Sequence, residues 1–268
     1  MRDDQAFYSA LVLAGSRHGA ADKVAMAAGT SHKCFAPVGG MPMLTRVVQA
    51  LLGSGRIRHV IVSIDRDSMG EAERLLDTLR QSASITVLPA QEDIGASVTA
   101  VTEAIPDTLP LIITTGDNAL HTPDMVAYFC GQLDRLNLGC DVAIGLTDAE
   151  ILLEKYPDGQ RAFHRFRDGS YSSCNIYALL TPQSLAAPRA FKSGGQFGKR
   201  PWRIVFSAGL LAFLVYKSKR ATLDGFMGLL SRAFKVNAEP VLMPFAEAPI
   251  DVDSVEDWQR AETILASR

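Results

Sequence analysis

The chain has 268 residues, enough for one large domain or two small ones with a sizeable apolar core. An apolar content of 47% and a charged content of 21% indicate a globular protein and exclude an intrinsically disordered one. The formal net charge of −2, without a long basic run, argues against nucleic acid as a partner and leaves a small anionic ligand open.

The first predicted element is a buried strand over residues 8–14, a short apolar run rich in branched side chains. It ends at Gly15-Ser-Arg-His-Gly19, and the residues from there to Lys33 show no strand or helix period. Glycines let backbone N–H groups approach an anion closely, and Arg17 and Lys33 would neutralise its charge. The loop alone fits a phosphate-binding loop and an ordinary strand-to-helix connection equally well.

Strands and helices then alternate as far as about residue 150. An extended segment with a Gly39-Gly40 turn leads into a helix that begins near Pro42 and breaks at Gly53. Further strands are predicted over residues 58–64, 85–88, 111–115 and 142–146, and further helices over residues 69–81, 97–105 and 123–136. This alternation predicts an α/β fold, an open, mostly parallel twisted sheet with helices on both faces.

The pattern changes after residue 150. A hairpin is predicted over residues 161–180 with its turn at Asp168-Gly169, followed by a mainly helical stretch over residues 182–235. A strand at residues 241–245 and a final helix with Ser254 as its N-cap close the chain. Without an internal repeat or a linker, the sequence predicts one domain, residues 1–268, in which the hairpin and helices form an inserted subregion.

Location is predicted from cysteines and apolar runs. The four cysteines form no C-x-x-C pair, which is typical of free thiols in a reducing compartment, and no signal peptide is recognised, so we expect a cytoplasmic protein. The most apolar run, Ile204–Tyr216, is shorter than the roughly 20 residues that span a bilayer. We do not expect membrane contact, although Lys217, Lys219 and Arg220 beside this run leave room for it.

Carboxylates follow the predicted strands at positions suited to a metal. In an open parallel sheet, ligands bind at the carboxyl ends of the strands, where Asp117 and the Gln91–Ser97 loop fall. Asp251 and Asp253, two residues apart in an extended segment, would share one face. One of them could complete an Mg²⁺ site with Asp117. The alternative is that Asp117 forms a turn and that Asp253 or Ser254 caps the final helix.

Taken together, these stretches resemble a known family. Leu13-Ala-Gly15 with Arg17 and Gly19, then Lys33 and Pro37-Val-Gly-Gly-Met-Pro-Met-Leu44, are similar to the signature of MobA-like NTP transferases, nucleotidyltransferases with a GT-A-like fold. Thr115-Gly-Asp117 and Asp251-Val-Asp-Ser-Val-Glu-Asp257 resemble two later segments of that family, in the same order. The resemblance implies that a phosphorylated small molecule attacks the α-phosphorus of an NTP, CTP or GTP, and that pyrophosphate leaves.

The resemblance also implies roles for individual residues. Residues 1–150 would bind the nucleotide, residues 151–240 the acceptor, and residues 241–268 would close the domain. Arg17, Lys33 and Asp117 would be catalytic, and Asp117, Asp251 and Asp253 would hold Mg²⁺. The nucleotide would be bound by Leu13, Ala14, Gly15, Ser16, Arg17, Gly19, Lys33, Gly95, Ala96, Ser97 and Gly116. Asn175, Lys199 and Arg203 would contact the acceptor, unless these cations only form a solvated basic surface.

Two consequences for variants follow from these roles. Lys33 should face the ligand, so its removal should reduce turnover far more than it unfolds the protein. Asp117 and Asp251 should repel each other in metal-free protein, so that Asp→Asn at either position leaves the fold intact or slightly more stable.

Two other functions remain open at this stage. A nucleotide-sugar-dependent glycosyltransferase has a similar sheet, but it usually carries its D-x-D at the mid-sheet strand end, where this chain has Gly116-Asp-Asn118. A catalytically silent nucleotide-binding module has no physical reason to keep Lys33, Asp117 and Asp251 together. A Rossmann dehydrogenase is disfavoured because the first loop is not G-x-G-x-x-G.

Overall fold

The computed structural model describes residues 7–16, 19–136, 139–158, 162–190 and 203–268. Its strands are β1 (Tyr8–Leu13), β2 (Pro37–Val38), β3 (Met41–Pro42), β4 (Ile57–Ile64), β5 (Ser84–Pro89), β6 (Leu111–Thr115), β7 (Val142–Asp148), β8 (His164–Phe166), β9 (Gly169–Leu179) and β10 (Ala238–Leu242). Its α-helices are α1 (Lys23–Ala28), α2 (Met43–Gly53), α3 (Met69–Arg80), α4 (Ile94–Ala104), α5 (Pro123–Leu133), α6 (Ala149–Lys155), α7 (Ala186–Ala190), α8 (Arg203–Ser218), α9 (Leu223–Phe234) and α10 (Val255–Ala266).

The central sheet has the strand order β10-β7-β9-β6-β1-β4-β5, with β8 paired to β9. All neighbouring strands run parallel except β9, which is antiparallel to both β6 and β7. Alternate residues of β1 enter different apolar clusters, because successive side chains of a strand point to opposite faces. Ala10 and Val12 pack with α2, α3 and α5, whereas Leu11 packs with α4, α8 and α9. This confirms the α/β prediction, with helices on both faces.

The position of β9 differs from the sequence prediction. The hairpin is confirmed, but its turn lies one residue earlier than predicted, at Arg167-Asp168, because Gly169 already pairs with Phe166 as the first residue of β9. However, β9 lies inside the central sheet between β6 and β7, so this strand belongs to the core of the domain and not to a separate subregion. A strand pattern shows where a strand is, but the partners of a non-local strand depend on the whole fold.

Two short helices were missed by the sequence prediction. Asp22 caps α1 by accepting hydrogen bonds from Val24 N and Ala25 N, and Gly29 ends this helix in the left-handed region at φ 66°. Asp148 caps α6 in the same way. Both helices have at most seven residues, so their capping residues identify them better than any hydrophobic period.

The closing segment, residues 243–253, runs along the edge of the sheet where the parallel strands have their carboxyl ends. Thr147 Oγ1 lies 3.1 Å from Met243 O and 3.2 Å from Phe245 O. His121 Nε2 donates to Ala248 O at 3.0 Å and to Cys174 O at 3.1 Å. Finally Val252 N donates to Asp117 O at 3.1 Å. These contacts bring the closing segment from the end of β10 to the end of β6.

The cysteines and the apolar helices concern two further features of the sequence analysis. All four cysteines are free and buried. Within the described ranges, no helix is both long enough and apolar enough to cross a bilayer.

Candidate functional site

Three chain segments meet in close contact at the carboxyl end of β1. Gly116 N donates to Leu13 O at 2.9 Å, and a Cβ on Gly116 would lie 2.9 Å from Cys34 Sγ and 3.1 Å from Ala14 Cβ. Because real Cβ atoms essentially never come closer than 3.0 Å to another heavy atom, only glycine fits at position 116. The first loop, the segment after Lys33 and the end of β6 therefore form one packed unit, as predicted for the carboxyl edge of the sheet.

Lys33 stands between two carboxylates. Its Nζ lies 2.5 Å from Asp117 Oδ2 and 3.6 Å from Asp253 Oδ1. Burial alone would lower the pKa of Lys33, but its surroundings, chiefly the charge and hydrogen bond of Asp117 together with the charge of Asp253, outweigh burial in sum and hold the pKa above its ordinary value. The ammonium group is therefore charged at neutral pH. The structure thus brings together three residues that span more than 200 positions of the sequence.

A chain of polar side chains continues from Asp117 to Asp251. Thr115 Oγ1 donates to Asp117 Oδ1 at 2.5 Å and accepts from Asn118 Nδ2 at 2.7 Å. Asn175 Nδ2 lies 2.9 Å from Asp251 Oδ2 and 3.4 Å from Asn118 Oδ1. Sequence analysis proposed Asn175 as an acceptor contact, and the structure places it beside Asp251. Thr115 and Asn118 were missed, although both flank Asp117 at the end of a predicted strand.

Asp251 is not the cap of the final helix. Ser254 is the N-cap of α10 and accepts from Asp257 N at 3.1 Å, as the sequence predicted. Asp251 instead contacts Asn175, and Asp253 contacts Lys33. In the part of the chain that the structure describes, no three His, Cys, Asp or Glu side chains form a ready-made metal site.

His32 and Asp65 hold the first loop, and neither was predicted. Asp65 Oδ2 accepts from Ser16 N at 2.8 Å and from His32 Nε2 at 3.0 Å. His32 Nδ1 accepts from Cys34 N at 3.1 Å, so the ring is neutral with its proton on Nε2. Burial lowers the pKa of His32, which agrees with the neutral form. Ser16 N, predicted to bind the nucleotide, is bonded to Asp65 in this arrangement.

The remaining amides of the first loop also have defined surroundings. Ala14 N donates to Ser63 O at 2.8 Å, in continuation of the β1–β4 ladder. Gly15 packs against Ala90, whose Cβ would lie 3.1 Å from a Cβ on Gly15. Gly19 adopts φ 51° and donates its N–H to Ser16 Oγ at 2.9 Å. Arg17, which the resemblance made catalytic, lies outside the described residues.

Cys34 has no nucleophilic character in this setting. It is buried, and burial together with the nearby charge of Asp117 raises the pKa of its thiol to about 12. Its neighbour His32 binds the backbone N–H of Cys34 and is not directed at the sulfur as a base.

Gly95, Ala96 and Ser97, predicted to bind the nucleotide, lie at the beginning of α4. An open cleft of about 310 Å³ adjoins this helix end and is lined by Gln91, Asp93, Gly95, Ala96, Thr99, Ala100 and Glu103. Ser97 Oγ accepts from Gln91 N at 2.9 Å, and Asp93 caps α4 through Ala96 N. A Cβ on Gly95 would collide with the carbonyl oxygen of Pro188, so this glycine allows α7 to pack closely on α4.

Two predicted acceptor contacts have side chains outside the described part of the chain. Lys199 lies outside the described residues. Arg203 begins α8, but its side chain is likewise not among those described.

Several known proteins resemble this chain. Two curated 2-C-methyl-D-erythritol 4-phosphate cytidylyltransferases are similar over part of their length. The Saccharopolyspora erythraea enzyme is 28% identical over 96 residues, which are 35% of this chain and 43% of that protein. The Nocardia farcinica enzyme is 30% identical over 103 residues, which are 38% of this chain and 44% of that protein. The chain thus spans less than half of the length of these curated relatives.

Solved structures resemble the chain over nearly its whole length. A hypothetical transferase from Thermus thermophilus matches with a TM-score of 0.73 and 21% identity, covering 94% of this chain and 99% of the other. A CMP:2-keto-3-deoxy-manno-octonic acid synthetase in complex with CTP matches with a TM-score of 0.57 and 12% identity, covering 97% and 99%. At these identities the likeness shows the shared fold.

The family model of the MobA-like NTP transferase domain matches residues 10–199, which contain the first loop, Lys33, Asp117 and Asn175. This range covers well over half of the chain, and the sheet agrees with the GT-A-like fold expected of such nucleotidyltransferases. The chain therefore belongs to the family of MobA-like NTP transferase domains.

Proposed function

We propose that this protein transfers an NMP unit from an NTP to a phosphorylated small molecule and releases pyrophosphate. The observation that carries the proposal is the charged Lys33 ammonium between Asp117 and Asp253, beside the packed first loop. Membership of the MobA-like NTP transferase family supports an NTP as donor. Cytidylyltransferases among the relatives, and a structural neighbour in complex with CTP, favour CTP over GTP.

The proposed reaction needs charge stabilisation more than covalent help. A phosphate oxygen of the acceptor attacks the α-phosphorus, the bond from that phosphorus to the β-phosphate oxygen breaks, and pyrophosphate carries away the electron pair. Lys33 is kept protonated by Asp117, so its ammonium can balance the negative charge that develops on the α-phosphoryl oxygens. A preorganised donor of this kind typically contributes about 10²–10³ in rate.

We further propose that Asp117, Asp251 and Asp253 hold Mg²⁺ when the nucleotide binds. Their oxygen atoms suit this hard cation, which is commonly held by one or two carboxylates together with substrate phosphates and not by a complete protein cage. Such a mode is compatible with the geometry, in which two of the three carboxylates converge on Lys33 and the third joins Asn175. The bound ion would neutralise phosphate charge.

For the acceptor we propose Asn175, Lys199 and Arg203. Lys199→Ala and Arg203→Ala should raise the KM of the phosphorylated acceptor while the affinity for the NTP is unchanged, because both cations lie in the part of the sequence assigned to the acceptor. A weaker NTP affinity in these variants would contradict the proposed division of the chain.

A pyrophosphate-release assay tests the proposed function. Purified protein is incubated with each NTP, Mg²⁺ and a panel of phosphorylated sugars and alcohols, with Lys33→Met as the inactive control. Pyrophosphate that appears only with both NTP and acceptor, and not with the control, supports the proposal. In a parallel incubation with nucleotide sugars in place of the NTPs, release of a nucleoside diphosphate would instead identify a glycosyltransferase. NTP binding in a thermal-shift assay without turnover on any acceptor would indicate a silent module.

A further inference from the structure

Helix α8 exposes three large apolar side chains on one face. After Gly209, where the backbone leaves the helical region at φ 87°, Leu210, Leu211 and Leu214 are 60%, 66% and 54% exposed. With 3.6 residues per turn, these positions share one side of the helix, here named the leucine face. Ala212 and Tyr216 lie on the opposite side and are buried in the cluster that contains α9. Three adjacent exposed leucines form a patch, unlike the single exposed leucines that are common on protein surfaces.

Cations flank the leucine face. Lys217, Lys219 and Arg220 are all exposed at the carboxyl end of α8. They belong to a stretch, residues 169–223, that contains eight Lys or Arg and no Asp or Glu. The whole chain has 27 Lys and Arg against 29 Asp and Glu, so positive charge is concentrated in this stretch. Among the described residues, the leucine face is therefore followed directly by three exposed cations, Lys217, Lys219 and Arg220.

In contrast to the expectation from sequence, we propose that the leucine face and these three cations dock on an anionic lipid bilayer. Leucines at the centre and cations at the margin are the composition of helices that lie in the membrane interface. Nucleic acid would match the charge but offers no apolar layer for the leucines. The long apolar stem of Lys217 can lie along the membrane while its ammonium stays at the headgroups. This inference is independent of the proposed catalytic function.

The length of α8 is consistent with lying on the bilayer and not crossing it. Residues 210–218 form a helical piece of about 14 Å, whereas the hydrocarbon core is about 30 Å thick. Only the leucine face would enter the membrane, to the boundary between headgroups and acyl chains, while Ala212 and Tyr216 keep their contacts in the protein core.

Vesicle co-sedimentation tests the proposal. The full chain is sedimented with vesicles of phosphatidylcholine alone and of phosphatidylcholine mixed with phosphatidylglycerol. We expect binding to the mixed vesicles only, weakening with salt. Each cation near an anionic surface contributes about fivefold to partitioning, so Lys217→Gln/Lys219→Gln/Arg220→Gln should lower it by about a hundredfold. Leu210→Gln/Leu211→Gln/Leu214→Gln should also abolish binding.

Matched controls separate this face from general stickiness. Arg66→Gln/Arg74→Gln/Arg80→Gln removes three exposed cations elsewhere, and Leu153→Gln/Leu242→Gln removes two exposed leucines elsewhere. Both controls should bind mixed vesicles like the unchanged protein. Thermal melts verify that every variant is folded, and the single change Leu214→Asp replaces the triple leucine variant if that one is not.

Three outcomes would overturn the proposal. The first is equal binding to both kinds of vesicle, or to neither. The second is the same loss of binding in the control variants as in the α8 variants. The third is a dimer, seen by light scattering without lipid, that the leucine variants dissociate, because the leucine face would then bind a second copy of the chain.

Discussion

Replacing Lys33 with Met should lower both turnover and stability. The change keeps most of the apolar stem and removes the charge that Asp117 and Asp253 face. The side chains of Lys33 and Asp117 are only 17% and 14% exposed. Removing one partner of a fully buried pair costs about 3–5 kcal/mol. Because some water reaches this pair, we expect about 2 kcal/mol, or a decrease in Tm of about 4–8 °C for a chain of this size.

A double-mutant cycle with Asp117→Asn isolates the pair. Lys33→Met/Asp117→Asn removes both charges of the closer pair and leaves only the more exposed Asp253 carboxylate without its cation, so it should be more stable than the sum of the single changes predicts, by about 1–2 kcal/mol. Turnover should not recover in the double variant.

The contribution of Lys33 to the free energy of unfolding depends on pH. The pKa of Lys33 is raised on folding, so the contribution is complete below the unfolded value of about 10.4 and is lost only as pH rises further.

Thermal melts of the four proteins and pyrophosphate release are the measurements. An unchanged Tm in Lys33→Met, with no coupling in the cycle, would refute the argument that Lys33 compensates Asp117. A fully active Lys33→Met protein would show that Lys33 is not part of the site.

The structure also changes two expectations drawn from sequence. Removal of Lys33 should now destabilise the fold, and Asp117→Asn should not stabilise it, because Asp117 is paired with a cation.

Three further changes test the neighbourhood of Lys33. Gly116→Ala should lower the free energy of unfolding in urea by about 1–3 kcal/mol, because the new Cβ would lie too close to Cys34 Sγ. An unchanged urea midpoint would mean that the segments around Cys34 and Gly116 can move apart without loss of stability. The free energy of unfolding should decrease as pH falls below about 6.5, because burial lowers the pKa of His32 in the folded state and the unfolded chain therefore binds the proton more readily. In His32→Asn, the free energy of unfolding should depend less steeply on pH in this range than in the unchanged protein. Asn175 has φ 50°, a backbone conformation that glycine adopts more easily than alanine, so Asn175→Gly should be more stable than Asn175→Ala by about 1 kcal/mol in a thermal melt. Both variants should lower kcat because both lose the contact with Asp251. Equal melting temperatures of the two variants would exclude backbone strain at this position.

The parallel part of the sheet could be predicted from sequence because its strands are continuous apolar runs. Residues 111–115 were predicted and observed as β6, and the strand predicted over residues 58–64 is β4 (Ile57–Ile64). The last strand was displaced: residues 241–245 were predicted, and β10 spans Ala238–Leu242. Pro240 within β10 weakens the strand pattern, and β10 lies at the sheet edge where proline is tolerated.

The candidate site was predictable only in part, for a physical reason. Lys33, Asp117, Asp251 and Asp253 carry charges at the ends of recognisable elements, and family resemblance drew attention to them. His32 and Asp65 follow no such pattern, since their role depends on hydrogen bonds between residues that are distant in sequence. Asn175 was assigned to the acceptor from its position in the sequence, whereas its contact with Asp251 depends on β9 being next to β6.

The path of the closing segment has a consequence for synthesis of the protein. Ribosomes complete Lys33 and Asp117 long before residues 243–253, and β10 joins the sheet through β7, which precedes it by about a hundred positions. A nascent chain that already contains β1, β4, β5 and β6 therefore has the lysine and one carboxylate but neither Asp251 nor Asp253. Lys33 and Asp117 are thus both synthesised well before Asp251 and Asp253. The order of translation thus keeps an incomplete chain from having a complete site.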